Sequence, residues 1–144
     1  MNLWFGGFGG EFDIEGLPQL ASPPWRAYRQ LADLADPGPT MTSLFWDQRE
    51  DTINMANYFI DMTGYPNQPQ LAQWVADMPG SYHNRAGGLS FADGHSEIRR
   101  WVDPRTLLPL QKDQVMTFDN ETLKQPNNRD IFWMQERATR RLTP

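Results

Sequence analysis

Both histidines of the chain and one aspartate lie in a short, glycine-containing segment. Nine residues separate His83 from Asp93, which is followed directly by Gly94 and His95. Two imidazoles and a carboxylate can bind a divalent ion with an open water position, or move a proton during hydrolysis. We therefore treat His83, Asp93 and His95 as candidate catalytic residues. The alternative is structural: each imidazole hydrogen-bonds a loop into place and has no chemistry of its own.

A hydrolase built on these three residues would act on a small, neutral substrate. No basic pocket for a phosphate group is evident in the sequence, so the substrate class would be a small ester or an acylated lactone. A bound calcium or zinc ion would polarise the carbonyl group and activate water. No HExxH or HxH spacing is present to require a metal.

The Asp93-Gly94 pair predicts a tight hairpin. Asp-Gly at the centre of a two-residue connection supplies the positive φ angles that such a turn needs. The run Leu89-Ser90-Phe91 should then pair with Glu97-Ile98-Arg99. This arrangement would place Asp93 and His95 together at the hairpin tip, and His83 would approach from the preceding loop.

Composition narrows the protein class. The 144 residues fit a single domain, 1–144, and the net charge of −5 argues against a nucleic-acid partner. The absence of cysteine excludes disulfides and thiolate catalysis. No apolar run reaches the length of about 18 residues that a membrane span needs. Six tryptophans and eight phenylalanines predict a core rich in aromatic side chains.

The remaining pattern predicts an α+β fold. Residues 1–21 form an extended lead-in rich in glycine and aromatic residues. Ser22 is the expected N-cap of a helix that buries Trp25, Tyr28, Leu31, Ala32 and Ala35. Met41–Trp46 predicts a strand, and residues 107–128 predict a long connection. Asn127 or Asn128 should cap a last helix from about Arg129 to Leu142.

Several of these segments carry a family resemblance. The spacing His83, nine residues, Asp93-Gly94 resembles the C-terminal signature of pilin-like proteins common in planctomycetes and verrucomicrobia, which resemble the major pseudopilin of type II secretion. The segments 45–47, 51–54, 81–84, 101–106 and 127–137 resemble further parts of that group. The resemblance implies a pilin-like head with an N-terminal helix, a small antiparallel sheet, long loops and a C-terminal helix. It also implies other pseudopilin subunits as partners.

Members of this group begin with a leader and a long apolar helix, which anchors them in the inner membrane on the periplasmic side. This sequence starts without either segment, and it resembles the globular head alone. The expectation from the sequence is therefore a soluble head, cytoplasmic when expressed as written.

The resemblance also implies calcium. Major pseudopilins bind calcium in loops beside the C-terminal sheet, where the ion holds the loops in shape. Calcium takes six to eight oxygen ligands. The candidate ligands here are Asp47, Glu50, Asp51, Asn54 and Asp93, with zinc as the alternative ion at the histidines. The other interpretation of residues 47–51 is a solvated acidic turn.

Overall fold

A small antiparallel sheet with strand order β1-β2-β3 organises the computed structural model, which describes residues 1–5, 25–54, 57–113 and 118–142. The strands are β1 (Ser43–Trp46), β2 (Ala86–Phe91) and β3 (Ser96–Arg100). Two short helices, α1 (Asn120–Leu123) and α2 (Arg129–Gln135), lie near the C-terminus. The α+β class and the small antiparallel sheet are thus confirmed. Within the described residues, the other helical segments are 3₁₀ turns: Leu31–Ala35, Pro39–Met41, Glu50–Thr52, Pro69–Leu71 and Pro104–Leu107.

The β2–β3 hairpin has the predicted pairing but not the predicted turn. Leu89 lies opposite Glu97, as expected. The two-residue turn is wrong: Phe91 N donates to His95 O at 2.9 Å, so Ala92-Asp93-Gly94 forms the loop. Gly94 adopts φ +93°, and Asp93 keeps a negative φ. This is the longer hairpin loop in which a single left-handed glycine restores the strand direction.

The predicted N-terminal helix is wrong over the described residues 25–35. Residues 25–30 are not helical, and only Leu31–Ala35 forms a 3₁₀ turn. The backbone N–H groups here form hydrogen bonds with distant parts of the chain instead: Tyr28 N donates to Trp4 O and Arg26 N donates to Arg140 O. Trp25 and Tyr28 are buried by these contacts, whereas Leu31 is 84% exposed. Ser22 and most of the lead-in, residues 6–24, lie outside the described residues.

Helix α2 begins as predicted and ends early. The Asn128 side chain accepts from Asp130 N at 2.7 Å and caps the helix. The helix ends at Gln135, where the pattern tightens: Arg137 N and Ala138 N donate three residues back, to Met134 O and Gln135 O, and Arg137 O accepts from Ser43 N of β1. Ile131, Met134 and Gln135 of the helix and Ala138 after it are all buried.

The core is aromatic, as the composition predicted. The largest fully buried side chains include Trp4, Trp74, Trp101, Tyr58 and Phe91. Trp46 extends this cluster by stacking on Tyr58, with ring centroids 4.3 Å apart. Burial of such large rings contributes a large apolar area to a fold that has little regular secondary structure.

The buried carboxylate of Asp77 links two segments of the chain, at Gln48 and at Phe59. Asp77 accepts from Phe59 N at 2.9 Å and from Gln48 Nε2 at 2.8 Å. Burial raises the pKa of Asp77 from its ordinary value of 3.8 to about 6, and the two hydrogen bonds only partly oppose this rise. The native state therefore binds this proton more tightly than the unfolded chain does.

Asp77 should make stability depend on pH. Because its native pKa is raised, its contribution to the free energy of unfolding is greatest below about pH 4 and is lost as the pH rises through about 6. Asp77→Asn removes this titration. We expect the difference in unfolding free energy between wild type and variant to change by about 3 kcal/mol between acidic and neutral pH. Urea titrations across this range measure it, with Glu121→Gln as an exposed control. Parallel pH profiles for wild type and Asp77→Asn would contradict the assignment.

Candidate functional site

Asp47, directly after β1, is the point at which three segments around the sheet meet. Its Oδ2 accepts from Gly88 N at 2.8 Å and lies 3.1 Å from His83 Nε2. Its backbone N–H donates to Gly88 O at 2.9 Å, and its carbonyl accepts from Gly80 N at 2.6 Å. One residue thus joins the end of β1 to the start of β2 and to the loop that carries His83.

Two consecutive glycines allow this close approach. A Cβ atom on Gly88 would lie 3.0 Å from Asp47 Oδ2, and one on Gly87 would lie 2.7 Å from Gly80 O. Any side chain here would push either the carboxylate or the neighbouring loop away from the strand. The Gly87-Gly88 pair is therefore part of the site.

The loop before β2 turns sharply to bring His83 back toward Asp47. Asn84 and Arg85 both adopt left-handed conformations, with φ of 53° and 67°. His83 N donates to Ala86 O, and Arg85 O accepts from Trp101 N. A left-handed conformation is unusual for arginine, so the surrounding bonds must hold this turn.

Asp93 fixes the opposite end of β2. Its Oδ1 accepts from His95 N at 3.1 Å and lies 2.6 Å from His95 Nδ1. These bonds from His95 lower the pKa of Asp93 below its ordinary value. The His95 ring stacks on Phe91, with centroids 4.3 Å apart and planes within 5°. Asp93 and His95 therefore meet at the hairpin tip, as predicted.

The three candidate catalytic residues form two separate pairs. His83 pairs with Asp47, which contacts Gly88 in the first half of β2, and Asp93 pairs with His95 in the loop after the strand. Phe91, the last residue of β2, lies three positions beyond Gly88 and a strand rises about 3.3 Å per residue, so the two pairs lie on the order of 10 Å or more apart. The expected approach of His83 to the hairpin tip does not occur.

Asp51 holds two loops together. Arg49 donates to both carboxylate oxygens of Asp51, from Nε at 2.8 Å and from Nη2 at 2.6 Å, and both side chains are buried. Gln111 N also donates to Asp51, and Arg49 reaches the carbonyl oxygens of Leu108 and Pro109. Burial alone would raise the pKa of Asp51, but the bonds from Arg49 and Gln111 outweigh it and lower the pKa.

The other acidic candidates lie apart from this pair. Glu50 is exposed and accepts from the hydroxyl group of Tyr82 at 2.9 Å. Tyr82 itself is 52% exposed. Asn54 is exposed at the edge of the described segment 25–54.

The proposed calcium ligands do not gather at one point in the described structure. In residues 1–5, 25–54, 57–113 and 118–142, no group of three or more histidine, aspartate or glutamate side chains is placed to hold a metal ion. Asp51 already faces a guanidinium cation, which would oppose a second cation. Calcium binding, or zinc binding at the histidines, stays a prediction.

Sequence reasoning missed the residues that engage these carboxylates. Arg49 lies two positions before Asp51, and the run Arg49-Glu50-Asp51 could have suggested an ion pair. The adjacent glycines at 87 and 88 signal close backbone approach within a strand. Asp130 carried no such signal; it is fully buried and accepts from the backbone N–H groups of Val102 and Asp103.

No protein-family model matches the chain, and searches of curated proteins and of solved structures found no match. Of the helices that the structure describes, none has the length and apolar character to cross a bilayer.

Asp51→Asn should destabilise the protein independently of calcium. It leaves the buried guanidinium of Arg49 without its counter-charge, and breaking a buried pair in this way costs about 3–5 kcal/mol. Thermal and urea unfolding, each with chelator and then with added calcium, measure the effect. We expect the same loss in both conditions.

Glu50→Gln is the matched control, because it removes the same charge from the neighbouring exposed residue. We expect it to change stability by no more than about 0.5 kcal/mol. The opposite result would support the candidate calcium ligands: added calcium would raise the unfolding midpoint of the wild type, and neither variant would show this rise.

Proposed function

We propose that this chain is a globular assembly domain, similar to the heads of type II secretion major pseudopilins. In this proposal the His83 to Asp93-Gly94 motif serves to build the sheet. The observation that carries the proposal is that the motif holds β2, the central strand, at two points. His83 is bonded to Asp47, which contacts Gly88 in the first half of the strand, and Asp93 is bonded to His95 in the loop after it.

The motif spacing has a physical meaning in this geometry. The nine residues between His83 and Asp93 comprise the left-handed turn at 84–85, the six residues of β2, and Ala92. A shorter or longer interval would move one of these two contacts relative to the strand. A spacing fixed by strand length is typical of a structural motif, whereas a catalytic motif is fixed by convergence on a reacting atom.

The polar groups of the motif are already paired within the fold. Asp47 Oδ2 accepts both from Gly88 N and from His83, and Asp93 Oδ1 accepts both from His95 N and from its ring. The ester or lactone hydrolase considered from the sequence needs His83, Asp93 and His95 around one substrate atom. That alternative stays a hypothesis with no specific observation in its favour.

The assembly role predicts where the protein is found in cells. Antibodies raised against the purified chain should label pilus-like filaments recovered by shearing or from the periplasm of cells that encode it, visible as immunogold rows along the filaments. Antibody pre-absorbed with the purified chain is the control for specificity. Antigen that stays entirely in the soluble fraction, with filaments unlabelled, would overturn the proposal.

A further inference from the structure

The outer edge of β3 is open. The sheet order places β3 at one edge, and its bridges in the described structure are all to β2. The side chains of Ser96, Glu97, Ile98 and Arg100 are exposed, with Ile98 63% exposed. An edge strand with free backbone groups is a template for a further strand.

The hydrogen-bonding pattern shows which backbone groups face outward. His95 O accepts from Phe91 N, and Trp101 N donates to Arg85 O, so both residues direct these groups toward β2. The direction of the backbone N–H and C=O groups alternates along an antiparallel strand, so those of Glu97 and Arg99 also point toward β2. The N–H and C=O groups of Ser96, Ile98 and Arg100 therefore point away from the sheet.

The sequence of β3 is complementary to itself in one antiparallel register. If Ile98 lies opposite Ile98 of a second copy, Glu97 of each chain lies opposite Arg99 of the other. The outward groups of Ile98 then form a hydrogen-bonded pair at the two-fold axis. Glu97 and Arg99 fall at a non-hydrogen-bonded pair, where side chains are closest and opposite charges stabilise. The Arg99 guanidinium also lies 3.7 Å from Asp130 of its own chain, so Glu97 of the second copy would add a second carboxylate beside it.

The neighbouring registers are disfavoured. Only alternate residues of β3 direct their backbone groups outward, so the register of the two strands can change only in steps that keep these residues paired. One shift places Glu97 opposite Glu97 of the second copy, and the opposite shift places Arg99 opposite Arg99. Like charges directly across a strand pair are destabilising. Of these three registers, only the one centred on Ile98 places opposite charges across from each other.

The geometry points to a symmetric homodimer in which two β3 strands pair antiparallel about Ile98 and join the two sheets into one. Ile98 and its symmetry mate contact each other on one face of the joined sheet, the face that also carries Ser90 and the half-exposed Phe45. This contact is small, so the dimer is weak. It concerns the edge strand itself and does not depend on the assembly role proposed above.

Ile98→Pro tests the dimer directly. Proline removes the outward N–H of residue 98, and the bonds between β2 and β3 use other residues, so the hairpin stays intact. Sedimentation velocity from about 10 µM to about 1 mM should show a concentration-dependent dimer for wild type. We expect Ile98→Pro to remain a monomer and Ile98→Thr, which keeps the N–H, to dimerise.

Glu97→Arg provides an independent test of the register. The substitution places a guanidinium at position 97 of each copy opposite Arg99 of the other, and we expect association about tenfold weaker than in wild type. Glu121→Arg, the same charge change on exposed α1, should leave association unchanged. A wild type that stays monomeric at the highest concentration, or an Ile98→Pro variant that still dimerises, would overturn the proposal.

Discussion

Backbone N–H groups that the strand ladders of a short sheet leave unpaired must find other acceptors, and in this protein aspartate carboxylates supply several of them. Asp47 accepts from Gly88 N, Asp51 from Gln111 N, and Asp77 from Phe59 N. Asp130 accepts from two further amides in the segment after β3. An unpaired buried amide would cost free energy comparable to a lost hydrogen bond, so these carboxylates decide where the loops lie. The sheet and the arrangement of the motif both depend on this constraint.

Asp47 shows how one such carboxylate connects local sequence to the motif. Its position directly after β1 lets the carboxylate reach across to β2, and the absence of a side chain at Gly88 gives it room. The same oxygen then receives His83, which sets where the motif begins. After the end of β2, the Asp93 carboxylate accepts from the backbone N–H and from the ring of His95, and these two bonds hold the turn.

Features that depend on residues close together in the sequence could be predicted, and features that depend on contacts between distant segments could not. The pairing of Leu89 with Glu97 and the capping by Asn128 follow from a turn and a cap a few residues away. The segment from Trp25 to Ala35 has helical spacing, but its backbone bonds to Trp4 and Arg140, which no local pattern reveals. His83 was expected near Asp93 because the chain brings them close in sequence; the extended β2 separates them. The ion pair of Arg49 with Asp51, together with the hydrogen bonds of both side chains to the backbone of residues 108–111, shows how loops without disulfides can be joined.

Amide hydrogen exchange at Gly88 measures most directly whether the Asp47 carboxylate holds the start of β2. In the wild type, we expect the Gly88 amide to be protected to the same extent as that of Leu89 in the ladder, since both should exchange only when the sheet opens. In Asp47→Ala, protection at Gly88 should fall far more than at Phe91, at the other end of the strand. Rapid exchange of Gly88 in the wild type, or an equal loss at both positions in the variant, would contradict the account.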